Sequence, residues 1–218
     1  MPALSPNGQP AAGQAWFASE AGQALVQSEL PLIRRALGER PAPPWAWFAP
    51  CPVPADGCGR GACLVAGEDA WEGALRCGLP LPFASESLST VVLQHARAVA
   101  GPIDALLEEC ERVLVDGGKL HLIALNPLSP YRLRWRDTGL AAGEPLTWRR
   151  RLRRAGLEPE PVSRGVGPVW KIQVREETRD GPGLAAAYVV CAQKRVVPLI
   201  PVAGKAPRVR LQHGLTAG

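Results

Sequence analysis

Residues 90–125 constrain the fold more than any other stretch. Thr90-Val-Val-Leu93 is rich in β-branched and apolar residues and reads as a strand. Pro102 then suits the first turn of a helix. Ile103, Leu106, Leu107, Cys110, Val113 and Leu114 recur at helical spacing, with Glu108, Glu109, Glu111 and Arg112 on the opposite face. Asp116-Gly117-Gly118 stops that helix, because glycine adopts the left-handed conformation a helix end needs. Leu120-His-Leu-Ile-Ala-Leu125 follows as a buried strand. Strand, helix, glycine turn and strand make a βαβ unit, which predicts a parallel sheet.

The rest of the chain supplies shorter elements. Gln14 to Leu37 carries an apolar stripe of Trp16, Phe17, Leu25, Val26, Leu30, Ile33 and Leu37. Pro31 lacks an amide donor, so two helices broken there are expected. Trp45-Ala-Trp-Phe48 and Ala62-Cys-Leu-Val-Ala66 read as strands, Ala74-Leu-Arg-Cys77 as a weak third. Asn126 to Ala142 reads as loop or short helix, and Pro145 to Ala155 as a basic helix ended by Gly156. Glu160-Pro-Val-Ser163 is a strand candidate, and Ala185 to Ala192 a firmer one.

A chain of 218 residues suits one α/β domain with short extensions. Hydrophobic residues make up 46% and charged residues 21%, ordinary values for a globular protein. No stretch approaches the roughly 18 apolar residues of a membrane span. The first residues lack a basic region followed by an apolar run, so a cytoplasmic protein with reduced cysteines is expected. The net charge of +5 is concentrated in Arg132, Arg134, Arg136, Arg149 to Arg154, and the tail residues Lys205, Arg208 and Arg210.

Residues 79–126 carry a family resemblance. Leu81-Pro-Phe83, the turn Ala84-Ser-Glu-Ser87, Leu88 to His95, Glu108-Glu-Cys-Glu-Arg-Val-Leu114 and Asp116-Gly-Gly118 stand in order and at spacing. Together they resemble the second half of class I S-adenosylmethionine-dependent methyltransferases of the type-11 subgroup. Asn126-Pro-Leu-Ser-Pro-Tyr-Arg-Leu-Arg134 and Lys194-Arg-Val-Val-Pro198 resemble a proteobacterial branch of that group. The resemblance implies a Rossmann-like α/β fold: a three-layer sandwich with a mostly parallel sheet and an antiparallel last strand. It implies a mobile start and helical cap over 1–40, the methyltransferase-like domain over 41–197, and a flexible basic tail over 198–218.

In that family the cofactor, S-adenosylmethionine, lies at the carboxyl ends of the first strands. The equivalent turn here is Ala49-Pro-Cys-Pro-Val-Pro54, without the usual glycines. Gly57, Gly59 and Gly61 form a glycine run, but just before the second strand. Residues 49–61 leave little room for a crossover helix. Glu68 stands near the position of the ribose-binding acid, and Cys77 replaces the acid expected beside the adenine. By this resemblance Ala49, Glu68, Cys77, Gly78 and His95 mark the cofactor site.

His95 ends the fourth strand, where a neutral imidazole could act as a base or contact cofactor; a histidine hydrogen-bonded at a strand end is the other reading. Asn126, before Pro127, is the second catalytic candidate, resembling the substrate-amide motif of methyltransferases acting on planar nitrogen. A turn-forming role competes with it. Cys51, Cys58 and Cys63 are spaced more widely than zinc ligands, so no metal is expected. Trp148 to Ala155 could attract nucleic acid or anionic lipid, or merely solvate a helix whose Leu146, Leu152 and Leu157 pack on the sheet.

The expected activity is methyl transfer from S-adenosylmethionine to an acceptor the sequence does not specify. The alternatives are a pseudoenzyme acting as a binding scaffold and a basic nucleic-acid-binding protein.

Overall fold

The computed structural model describes residues 12–40, 44–55, 58–96, 101–172 and 179–195. The expected mobile start and the basic tail with Lys205, Arg208 and Arg210 fall outside this range, apart from the residues from 12 onward. So does Gly57.

Parallel strands form the centre of the sheet. β1 (Trp45–Ala49) pairs in parallel with β2 (Gly61–Ala66) on one side and β4 (Leu88–Gln94) on the other. β4 pairs in parallel with β5 (Leu114–Leu125) through the crossover helix α3 (Ile103–Val113). The βαβ unit of the sequence is therefore present. β9 (Ala187–Lys194) runs antiparallel to β5, as expected of the last strand.

Antiparallel margins complete it. β3 (Trp71–Gly73) folds back on β2, and β6 (Leu157–Pro159) and β7 (Arg164–Val166) both pair with β9. With β8 (Arg179–Asp180) the order is β3-β2-β1-β4-β5-β9-β7-β8, with β6 also on β9.

Alternate residues of each strand serve opposite faces. Phe48, Val91, Leu93, Leu120 and Leu122 pack with Leu106, Leu107, Cys110 and Val113 of α3 and Leu152 of α4 (Pro145–Arg154). Trp45, Trp47, Val92, Ile123 and Val189 pack with α1 (Ala12–Phe17) and α2 (Glu20–Gly38). Helices on both sides of the sheet make three layers. Burying each such Leu or Val contributes roughly 1.5–3 kcal/mol.

Several expectations need correction. The helix break falls at Ala18–Ser19, not at Pro31. The Ser19 hydroxyl caps α2 by accepting from the Gly22 amide at 3.2 Å, and α2 continues through Pro31. Leu25, Val26, Leu30, Ile33 and Leu37 are all buried, so one continuous face packs on the sheet despite the missing amide. Asp116-Gly117-Gly118 does not sit between elements. β5 begins at Leu114, and a register shift between Leu88 and Thr90 absorbs the extra residues as a bulge, with Gly117 at φ 69.

Ala74 to Cys77 is no strand: β3 ends at Gly73, and Cys77 makes only an isolated bridge to Trp71. Glu160 to Ser163 connects β6 to β7. Leu146 is 50% exposed rather than packed, whereas Leu152 and Leu157 are buried.

The described residues between β1 and β2 contain no helix. Trp45 and Trp47 supply bulk on that face instead. The Trp45 indole donates to Cys58 O at 2.6 Å and lies over Gly61, where a Cβ would sit 2.1 Å from the ring. Gly61 thus makes room for a tryptophan.

The Leu81-Pro-Phe83 segment is clamped to α3. Glu109 Oε2 accepts from the Leu81 amide at 2.7 Å. Arg112 donates to Leu81 O and Phe83 O, both at 3.0 Å, and to Ser85 Oγ at 3.2 Å. Two motifs far apart in sequence are therefore one hydrogen-bonded unit. No helix among the described residues is long and apolar enough to cross a membrane.

Candidate functional site

The strand order reverses between β1 and β4, since β1 leads to β2 on one side and meets β4 on the other. Open α/β sheets bind ligands outside the carboxyl ends of the strands at such a switch point. Phe48 pairs with Leu93, so Ala49 and the Gln94–His95 pair end side by side.

A buried polar network occupies this point. His95 Nε2 lies 2.9 and 3.1 Å from the two carboxylate oxygens of Glu29. Gln94 Nε2 donates to Glu29 Oε2 at 2.7 Å, and the Trp47 indole donates to Gln94 Oε1 at 3.1 Å. Glu29 and Gln94 are fully buried and His95 is 8% exposed. Buried charge is tolerated only when paired and hydrogen-bonded, and here both Glu29 oxygens have donors.

The same arrangement fixes the His95 ring. In the neutral ring, a proton on Nε2 donates to Glu29 and leaves Nδ1 with a lone pair. Nδ1 is buried without a hydrogen-bond partner. The Phe17 ring stacks on the imidazole, centroids 5.1 Å apart. His95 also has φ 48, an uncommon backbone state for a residue with a side chain.

The other predicted residues are placed as follows. Ala49 is fully buried beneath α1 and α2. Glu68 is exposed in the β2–β3 turn, at the carboxyl end of β2. Cys77 packs in the core on the α3 face, and burial pushes its thiol pKa up; Gly78 follows it, half-buried. Only Ala49 and His95 come together.

Asn126 is 1% exposed with its amide fully used. Nδ2 donates to the carbonyls of Pro182, Gly183 and Ala185 at 3.2, 3.0 and 2.9 Å. Oδ1 accepts from the Leu128 amide at 3.0 Å. The side chain ties the turn after β5 to the segment before β9, which fits the turn-forming reading.

Glu29, Gln94, Trp47 and Phe17 were not identified from sequence as site residues. One signal was available for Glu29. It falls between Leu25, Val26 and Ile33 on the apolar stripe of α2, where a carboxylate needs a buried partner.

Against S-adenosylmethionine the fit is divided. Exposed Glu68 could meet ribose hydroxyls, and the bare Nδ1 of His95 could meet an acceptor. The described turn after β1, 50–55, has no glycine, and Ala49 and Cys51 are buried in the cluster formed with α1 and α2, Gln23 of α2 donating to Cys51 Sγ at 3.8 Å. Among the described residues, the end of β1 offers the methionine end of the cofactor no glycine cradle.

No protein-family model and no curated protein matches the chain. Solved structures do match. A methyltransferase from Thermotoga maritima aligns with TM-score 0.54 and 13% identity, over 84% of this chain and 100% of that one. One from Mesorhizobium loti gives 0.52 and 16%, over 77% and 98%. One from Archaeoglobus fulgidus gives 0.50 and 14%, over 83% and 97%. All three are described as dependent on S-adenosylmethionine.

The fold is that of class I methyltransferases. At these identities the likeness speaks for the sheet, its order and its helical layers.

Proposed function

We propose that this chain is a methyltransferase that uses S-adenosylmethionine, with His95 as the base that takes the acceptor proton. Within the fold, it reads best as a divergent member of the type-11 subgroup, from the proteobacterial branch. The observation that carries the proposal is the Glu29–His95 pair at the β1–β4 switch point.

In the neutral ring with its proton on Nε2, Glu29 accepts that proton's hydrogen bond and Nδ1 is left with a lone pair. A carboxylate that orients a histidine and stabilises its protonated form is a general device of acid–base catalysis. The bound cofactor would supply the electrophilic methyl group. The protein's own part is to hold the acceptor beside Nδ1 and exclude water, which α1 and Phe17 do. Because Phe17 covers the ring, ligand entry on this reading requires α1 to move aside. Glu68 is the residue proposed to meet the ribose, with Ala49, Cys77 and Gly78 along the cofactor path. Asn126 acts as a positioning residue for the loop beside the site.

A second reading, a binding scaffold without catalysis, is favoured by one observation: the carboxyl end of β1 is buried where the methionine end would lie.

The test uses S-adenosylmethionine labelled in its methyl group, the full chain, and fractionated cell extract as the source of acceptor. Transfer should occur and fall by about 100-fold or more in His95→Gln, the usual range for loss of a general base. Transfer unchanged in His95→Gln would remove the proposed role of His95. Absence of transfer in every fraction, with no cofactor binding, would favour the scaffold.

A further inference from the structure

The carboxyl edge of the sheet carries an apolar surface that the site does not use. Leu128 is 73% exposed, Trp170 61%, Leu133 58% and Leu184 56%. They lie on three segments tied together. Asn126 holds the segment before β9, and Ser129 Oγ donates to Leu184 O at 2.9 Å. Ala186 N donates to Pro168 O at 2.7 Å, which brings in the segment with Trp170. The surface is thus built on fixed loops.

Its cations are interleaved with the apolar groups. A short 3-10 helix, Pro130–Arg134, is capped by Ser129. Tyr131 and Trp135 point inward and are buried, and the Tyr131 hydroxyl donates to Ala21 O at 2.9 Å. Arg132, Leu133, Arg134 and Arg136 are left exposed. Residues 126–136 contain no acid; Asp137, just beyond, pairs with Arg136 at 3.3 Å, an exposed pair of small energy that a phosphate can displace.

This composition selects among partners. Protein interfaces take arginine and tryptophan but deplete charge at their apolar centre, whereas here the arginines alternate with the leucines. Nucleic acid would use the arginines but has no use for exposed leucines. A bilayer interface takes both, with apolar side chains and tryptophan at the acyl boundary and guanidiniums among the phosphates. We propose that this edge docks on an anionic lipid bilayer. Leu128, Leu133, Leu184 and Trp170 enter the interface, and Arg132, Arg134 and Arg136 pair with lipid phosphates. The inference does not depend on catalytic activity.

The test is co-sedimentation of the full chain with vesicles of phosphatidylglycerol mixed into phosphatidylcholine, against phosphatidylcholine alone. Binding should require the anionic lipid. Leu128→Ser/Leu133→Ser/Leu184→Ser should lose most of it. Arg132→Gln/Arg134→Gln/Arg136→Gln should weaken it by roughly fivefold per arginine. Arg150→Gln/Arg153→Gln/Arg154→Gln, on the exposed side of α4, should bind like the parent. Circular dichroism checks the fold of each, and Leu128→Ser alone replaces the triple variant if that one unfolds. Failure to bind anionic vesicles overturns the proposal. So does binding unaffected by the leucine changes, or binding lost equally in the α4 variant, either of which marks general basic attraction. Retention on an RNA homopolymer without retention on vesicles would assign the surface to nucleic acid instead.

Discussion

The carboxylate of Glu29, on α2, lies 2.9 Å from Nε2 of His95, at the end of β4. It joins the helical layer to the switch point of the sheet through a pair with almost no access to water. Glu29→Ala would leave His95 and Gln94 buried without their acceptor. Each buried donor left without its acceptor costs about 1–3 kcal/mol. Urea unfolding should show that loss, with a smaller one for Glu29→Gln, which keeps an acceptor oxygen.

Arg112→Met should destabilise by about 2 kcal/mol, since it removes charge-assisted bonds to Leu81, Phe83 and Glu109. The Glu109 carboxyl is held below the usual range, first by its hydrogen bond with Arg112. A lowered folded-state pKa contributes stability above the unfolded value that is lost as pH falls through the folded one. The difference between parent and Arg112→Met should therefore shrink below about pH 4.5. Chemical denaturation across that range measures it.

His121 gives a second, separate acid response. Burial pushes its pKa down to about 4, while Nδ1 lies 3.2 Å from Cys191 Sγ. Between about pH 6.5 and the folded value, the unfolded chain takes up a proton that the folded chain refuses. Stability then falls with pH by up to about 1.4 kcal/mol per unit. Unfolding free energies of His121→Gln over the same window should fall less steeply.

Gly61→Ala should cost roughly 1–3 kcal/mol from overpacking. The added methyl meets the Trp45 ring, which its bond to Cys58 O holds in place. Trp45→Leu in the same background should recover part of the loss in thermal unfolding.

Much of this fold was legible because local signals and tertiary packing agree. The strand, amphipathic helix and strand of 90–125 are each periodic, and they pair as the pattern requires. Pro31 misled because a proline reports a lost backbone bond but not the apolar face that keeps α2 helical on both sides of it. Leu146 misled in the opposite sense, being apolar at helical spacing yet exposed.

The candidate site was half legible. His95 and Ala49 meet at the switch point because the topology itself brings them there. Glu29 comes from α2, 66 residues from His95 in sequence, and no short-range spacing links them. Cys77, marked by alignment with a lost acid, sits in the core on the other face.

The central claim is that the carboxyl edge at His95 binds the methyl donor. Titration calorimetry of the full chain and of Phe17→Ala with S-adenosylmethionine tests it most directly. Saturable binding is predicted, tighter once the covering ring is removed, with about 2.7 kcal/mol of added stability at 100 times the dissociation constant. Absence of binding heat from both proteins at millimolar cofactor would contradict it.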